Sequence, residues 1–409
     1  MHYSLTRATA WNIAGYTYLI IASLISTPIL VRHLGVDTFA QYGLILGTLS
    51  LTSALDLGLP QAVVRALSRD HEFSVLRQTL WATSSFLFIL TGIIAASLTT
   101  FISYHLGIIG WVLPIIFAIA LMNNLLAHYA TLPQAEGHFG YYNAKTFIVG
   151  TGNTIVAAYL SYIGQSVPTI LVSTLFTYLL TLVPLAYFSL KFFPHPRAGK
   201  VSFVLARSLV SFGLKNQLGK LIGQTQAQYG KYLLAALSPL TLSAYVISQG
   251  LVQKLVGGVI QVSTAFYPAS ARAGVGPSVR KIYLRLQLGL FVLGLFAIGL
   301  YQLVGQSFLT WWLHDEALVS AAHSFLSIYR FYGLFLLLTP LASTVLDSTG
   351  HPGTTSLYGA ITFALELVIA LILLPHYGLL ALAYAGIVSI ILTTPALLYT
   401  TSRVLKSKV

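Results

Sequence analysis

Several stretches of this chain carry no formal charge over lengths that water-soluble folds do not sustain, three of them in its first half. Residues 8–31 form one of 24 residues, 78–135 one of 58, and 146–190 one of 45. A helix needs about 20 predominantly apolar residues to cross the hydrocarbon of a bilayer. The first run therefore fits one helix, and each of the others fits a pair joined by a short turn. Composition agrees, with 56% hydrophobic and 8% charged residues and a mean hydropathy of +0.81; soluble domains carry about 25% charged residues. Lipid admits only helices and closed barrels, and the alternating ten-residue segments of a barrel, about that long in known examples, are missing. The sequence predicts an all-α polytopic membrane protein. Its first apolar run is too long for a signal peptide and lacks a small-residue cleavage site, so it reads as the first membrane helix.

Hydropathy with Gly and Pro punctuation predicts twelve spans at 10–31, 40–62, 79–101, 111–132, 146–163, 168–190, 211–235, 241–267, 286–308, 325–346, 355–374 and 378–400. With the N-terminus in the cytoplasm, sixteen of the 22 Lys and Arg fall on the cytoplasmic side and Arg32 alone on the other. The remaining five, Lys215, Lys220, Lys231, Lys254 and Arg330, fall inside predicted helices. This positive-inside bias places both termini in the cytoplasm of a multi-pass membrane protein. It also accounts for most of the +13 net charge, so no nucleic-acid partner is expected. The longest loop, 191–210, joins the halves, and its second part predicts an amphipathic helix on the inner membrane surface.

The chain repeats itself. "LGVDTFAQY" (34–42) returns as "LSPLTLSAY" (237–245), "PQAVVRA" (60–66) as "PASARA" (268–273), and "GHFG" (137–140) as "GHPG" (350–353). The order is kept and the offset drifts slowly, as expected of an internal duplication. An even number of helices separates the copies, which implies parallel repeats related by an axis along the membrane normal. The expected architecture is two six-helix lobes, 1–200 and 201–409, around a central cavity.

"LKNQLGKLIGQTQAQYGK" (214–231) is unusual for a membrane helix. Gly213, Asn216, Gln217, Gln224, Gln228 and Lys231 all fall within about 80° of Lys220 on a helical wheel, a stripe that rises about 22 Å from Asn216 to Lys231. Leucines and Ile222 occupy the other face. A lysine deep in a span nearly always faces a bundle interior or an aqueous cavity, whereas Lys215 and Lys231 near the ends also suit snorkelling. The eighth span repeats the theme with Gln249, Gln253 and Gln261 beside Lys254, and Arg330 opens the tenth beside Tyr329 and Tyr332. Asn12, Tyr16, Ser23 and Thr27 share a face of the first, where interhelical hydrogen bonding is the alternative role. Acids in the spans are few: Asp56, Asp347 and Glu366. A chamber shared by Lys220, Lys254 and Arg330 would be electropositive and suited to an anion, with amides for the hydroxyls of a sugar.

Other signals are set aside. The chain has no cysteine, and its eleven histidines show no metal-site spacing, so neither a metal nor a cofactor is expected. "GLKNQLGKL" lacks both the glycine spacing and the Ser/Thr of a phosphate-binding loop. Gly219 and Gly223 read as a helix-packing pair. No carboxylate cluster or Ser/His/Asp set points to an enzyme.

"TPILVRHLGVDTFAQYGLILG" (27–47) followed by "LDLGLPQAVVRALSR" (55–69) resembles the start of bacterial polysaccharide exporters. These form the O-antigen flippase (lipid-linked oligosaccharide translocase) family of the multidrug/oligosaccharidyl-lipid/polysaccharide exporter superfamily. The matching elements are Leu34-Gly35 with Phe39 and Tyr42, and Asp56-Leu57-Gly58 with Arg65. The resemblance implies translocation of a polyprenyl-diphosphate-linked glycan across the bacterial cytoplasmic membrane, by alternating access through a cationic cavity. It implies coupling to a proton or sodium gradient in some members, and polysaccharide polymerase machinery as a partner besides the lipid bilayer. On this reading Lys220, Lys254, Arg330, Lys231 and Lys215 attend the diphosphate, and Gln224, Gln249, Gln253 and Asn12 the sugars. Asp56, Glu366 and Arg65 are the coupling or gating candidates. Two rivals remain: a multidrug cation antiporter of the same superfamily, and a membrane-embedded polymerase or glycosyltransferase.

Overall fold

A computed structural model describes residues 5–52, 54–69, 75–192, 200–235, 237–273 and 276–406. Among the described residues there are helices and turns and no strand. The chain runs through α1 (Leu5–Leu34), α2 (Val36–Thr52), α3 (Leu59–Arg69), α4 (Val75–His105) and α5 (Val112–Ala135). Next, α6 (Phe139–Thr151) continues through a π-helical turn (Gly152–Val156) into α7 (Ala157–Tyr162), and α8 (Val167–Phe192) follows. The second half holds α9 (Phe203–Ala235), α10 (Pro239–Ala273), α11 (Pro277–Leu313), α12 (Glu316–Ser348), α13 (Pro352–Tyr377) and α14 (Ala381–Val404). Seven helical segments among the described residues are long and apolar enough to cross a membrane, one of them the continuous Pro352–Val404. Lysines and glutamines lower the hydropathy of α9 and α10, and α2 is short. Where lipid must be met, apolar side chains are exposed: Leu288, Val292, Phe296 and Leu303 of α11 all face outward.

Two expectations are corrected. The span predicted at 40–62 is two helices, because α2 ends at Thr52 and α3 begins at Leu59. Alternate i→i+3 bonds, Ala54 N–H to Leu51 C=O and Leu55 N–H to Thr52 C=O, tighten the end of α2 into a turn. Leu57 (φ 52°) and Gly58 (φ 65°) then take left-handed conformations that no helix accepts. The amphipathic surface helix expected before residue 211 is instead the first part of α9, which runs unbroken from Phe203.

The chain divides into two compact units, Met1–Gln228 and Tyr229–Val409. In the first, α3 is amphipathic. Leu59, Ala62, Val63 and Leu67 lie on its buried face and pack with Trp81 and Phe88 of α4, Leu132 of α5, Phe188 of α8 and Leu209 of α9. In the second, Tyr283 of α11 packs with Leu341 and Val345 of α12 and Leu397 of α14.

Two of the three repeated motifs build matching local features, and the side chains of 268–273 lie outside the described residues. Tyr42 and Tyr245, the last residues of the first repeated motif, are both 2% exposed. In the third motif, Gly137 (φ 76°) and Gly350 (φ 90°) make the left-handed turns, and the histidines after them stand at the N-terminal boundaries of α6 and α13. The copies diverge in between, where the first half has the α2–α3 break and α10 runs straight through.

Candidate functional site: a polar cavity at the broken helix

The break places Asp56 in a turn inside the first unit. Its Oδ1 accepts from the Gly58 N–H at 3.0 Å, a local bond that holds the turn. Its Oδ2 accepts from the Lys220 ammonium at 2.7 Å. The lysine side chain is 31% exposed and the carboxylate 7%. The stripe on α9 thus meets the α2–α3 turn. One turn earlier Gln217, also buried, donates its side-chain N–H to the Ala54 carbonyl. Gly213 lies against Leu57 and Gly58 so closely that a Cβ on either glycine would strike the other strand's backbone. The Arg65 guanidinium sits 4.3 Å over the Phe212 ring.

Beside this junction is a cavity of about 270 Å³. Asp56 and Lys220 line it together with Gln61, Asn123, Asn124, Gln134, Tyr142 and Lys145. Two ammonium groups and one carboxylate leave the wall net positive, and Lys145 is within electrostatic reach of both Lys220 and Asp56. Asn124 is 2% exposed, and neither amide atom has a hydrogen-bond partner among the described residues. A buried amide with nothing to bond is costly; at the wall of a cavity, a ligand would satisfy it.

Sequence reasoning missed six of these groups, Gln61 among them. Lys145 was assigned to the cytoplasmic side, one residue before the span predicted at 146–163, whereas α6 starts at Phe139 and carries it within the helix. Asn123 and Asn124 sit adjacent in the longest uncharged run, a polar doublet that could have been flagged. Gln134 and Tyr142 gave no signal. The packing read at Gly219 and Gly223 is not visible at Gly223, where a Cβ would meet open space.

The other expected site residues lie as follows. Gln224 is half-buried in α9, Lys231 half-buried beyond it, and Gln253 exposed on α10. Lys254 lies along its own helix, its Nζ 3.7 Å from where a Cβ on Gly250 would stand. Gln249 is buried and its amide reaches the Tyr245 hydroxyl at 3.5 Å. Arg330 donates to Gln302 of α11 and packs over Tyr301 and Phe331. On α1, Ser23 and Thr27 bond to carbonyls of their own helix. The side chains of Asn12 and Lys215 lie outside the described residues.

Glu366 of α13 lies in the second unit, 4% exposed. It accepts from the Tyr229 hydroxyl at 2.7 Å. Tyr332 packs edge-on to Tyr329, Tyr329 edge-on to Tyr245, and all three lie within electrostatic reach of the carboxylate. Gly230 makes room for the Tyr245 hydroxyl, which a Cβ there would strike.

The fold is that of known membrane transporters. An inward-facing multidrug resistance transporter of the MATE family aligns with 98% of this chain and 100% of its own, at a TM-score of 0.73 and 14% identity. The inward closed form of the lipid II flippase MurJ aligns over 95% and 86%, at 0.73 and 13%. A transporter of the same superfamily from Pyrococcus furiosus, described for the reversed polarity of its binding pocket, aligns over 98% and 96%, at 0.66 and 16%. No curated protein matches the sequence. The sequence pattern of the polysaccharide biosynthesis protein family matches residues 5–274, well over half of the chain, and the protein belongs to that family.

Proposed function

We propose that this protein is a flippase that moves a polyprenyl-diphosphate-linked oligosaccharide, such as an O-antigen or capsule repeat unit, across the bacterial cytoplasmic membrane by alternating access. One observation carries the reading: Lys145 and Lys220 stand on the wall of a cavity otherwise furnished with amides and a tyrosine. A diphosphate crossing a low-dielectric region needs charge-assisted hydrogen bonds to replace its hydration. Amides offer donors and acceptors for sugar hydroxyls, while the polyprenyl tail can remain in lipid. Family membership and the transporter fold support the same class of function. An organic cation would find the cavity's single carboxylate already held by Lys220. Both termini are assigned to the cytoplasm, on the sixteen-to-one distribution of basic residues. The gradient, proton or sodium, would act at Glu366, and a polysaccharide polymerase would receive the product.

The test is complementation of export-deficient bacteria carrying a panel of glycan loci, with surface polysaccharide as the readout. Restored export with at least one locus, lost on substitution of Lys145 and Lys220 together, is the expected result. Resistance to organic cations without any glycan export would overturn it.

A further inference from the structure

Asp56 is the one carboxylate among the described residues lining the cavity, and both of its oxygens are engaged, Oδ1 by the turn and Oδ2 by Lys220. A carboxylate oxygen 2.7 Å from an ammonium makes the contact that a phosphate oxygen would make in its place. We propose that Asp56 is a built-in counter-anion: it holds Lys220 while the cavity is empty and is displaced from it by the phosphate oxygens of the cargo. The inference rests on the anionic-cargo reading and assigns Asp56 a selective role within it.

Three features carry the argument. The lysine is the open member of the pair and the carboxylate the recessed one, at 31% against 7% exposure. An anion in the cavity therefore reaches Lys220 without passing Asp56. Second, the two partners differ in freedom. Asp56 stays anchored by the Gly58 N–H, whereas lysine presents a point charge on a flexible four-carbon stem. It is the ammonium that moves. Third, Lys145 is the cavity's other cation. An anion with one charge that replaces Asp56 exchanges one ion pair for another. A diphosphate can engage Lys220 and Lys145 together, turning their mutual repulsion into a shared attraction. The ion pair thus sets a threshold that a singly charged anion does not clear.

Asn124 supplies independent support for a ligand here, being buried at the wall with an amide that no described residue satisfies. The remaining ties between α9 and the turn do not depend on an anion. They are the Gln217 bond to Ala54, the Gly213–Gly58 approach and the Arg65–Phe212 stack. Cargo would release the one ion pair and leave these ties in place.

The experiment uses the full-length protein in lipid nanodiscs, with inorganic pyrophosphate and glycan-free polyprenyl diphosphate as probes. Selective ¹³Cγ-Asp and ¹⁵Nζ-Lys labelling gives a dipolar coupling for the Lys220–Asp56 pair, assigned by its absence in Lys220→Arg and Asp56→Asn. The coupling should be present in the free protein and vanish at saturating probe, with binding followed separately by ³¹P resonance. Asp56→Asn keeps the acceptor for Gly58 N–H and should bind diphosphate about 3-fold tighter, the size expected from losing one partly exposed competing ion pair. A coupling that persists while probe is bound, or an Asp56→Asn affinity no higher than wild type, overturns the inference and leaves the cargo reading standing. Failure of the wild type to bind either probe overturns both.

Discussion

Gly213 of α9 and Gly58 of the α2–α3 turn meet backbone to backbone, with no room for a Cβ on either. Gly58 also needs its left-handed φ of 65°. Alanine at Gly58 should therefore cost about 3 kcal/mol, combining left-handed strain with overpacking. Gly223, one face away on the same helix, has open space around its Cα. Gly223→Ala should stabilise by up to about 1 kcal/mol through helix propensity. Thermal unfolding in detergent, followed by a fluorescent thiol-free probe of aggregation, separates the two. Equal behaviour would mean the close approach does not hold α9 to the turn.

Lys220 should be needed for transport rather than for insertion. Lys220→Ala leaves the recessed Asp56 charge without its partner, at an expected cost of about 1–2 kcal/mol given the lysine's partial exposure. Export should nevertheless fall to background while the protein reaches the membrane at near-normal levels. Lys220→Arg should retain partial export, since the charge survives and its geometry changes. Quantified surface glycan against membrane abundance decides it, and wild-type export from the alanine variant would refute the role.

Lys145 tests whether the cavity works as a two-cation site. Lys145→Gln keeps a polar group of similar length, so the fold should be unaffected. Diphosphate affinity should drop about tenfold, the scale of one charge-assisted hydrogen bond. Isothermal titration with pyrophosphate measures this directly. An unchanged affinity would reduce the site to Lys220.

How this site came to be half-legible follows from where the information lies. A lysine at the centre of a polar stripe, such as Lys220, announces itself because the charge is out of place in an apolar run. Asp56 was recognisable in its Asp-Leu-Gly setting, but its partner was not, since 164 residues separate it from Lys220 and no local pattern encodes that pairing. The chain break was invisible for a related reason. Hydropathy reads on through residues 53–58, whereas α2 ends at Thr52 in a tightened turn and the left-handed Leu57 and Gly58 follow it. Lys145 was read as a loop residue ahead of its span, because hydropathy reports where apolar sequence starts and not where the helix does, and α6 begins at Phe139. The repeat, by contrast, was plain, because turn glycines and buried tyrosines must recur wherever the same corner is built twice.

Asn124 offers a variant in which stability and function should move in opposite directions. Its amide is buried and unsatisfied, so Asn124→Leu, close in volume, should raise stability by about 1–2 kcal/mol. If the amide serves a ligand, export should fall at least severalfold in the same variant. A more stable protein with undiminished export would show that Asn124 is a packing compromise with no cargo contact.

Glu366 is the place to look for coupling. It is almost fully buried and receives a hydrogen bond from Tyr229. A carboxylate buried among phenols keeps its charge away from water, which is costly unless that charge is met. On the proposed reading, the proton or sodium gradient acts on this group. Glu366→Gln preserves an acceptor for the Tyr229 hydroxyl and so should keep the fold and bind diphosphate within about 2-fold of wild type, since no cargo-facing hydrogen bond is lost. What should disappear is the stimulation of transport by an imposed proton or sodium gradient in proteoliposomes, with downhill exchange retained. Gradient-stimulated transport at wild-type level in Glu366→Gln would move the coupling site elsewhere. Loss of diphosphate binding would instead make Glu366 part of the cargo path.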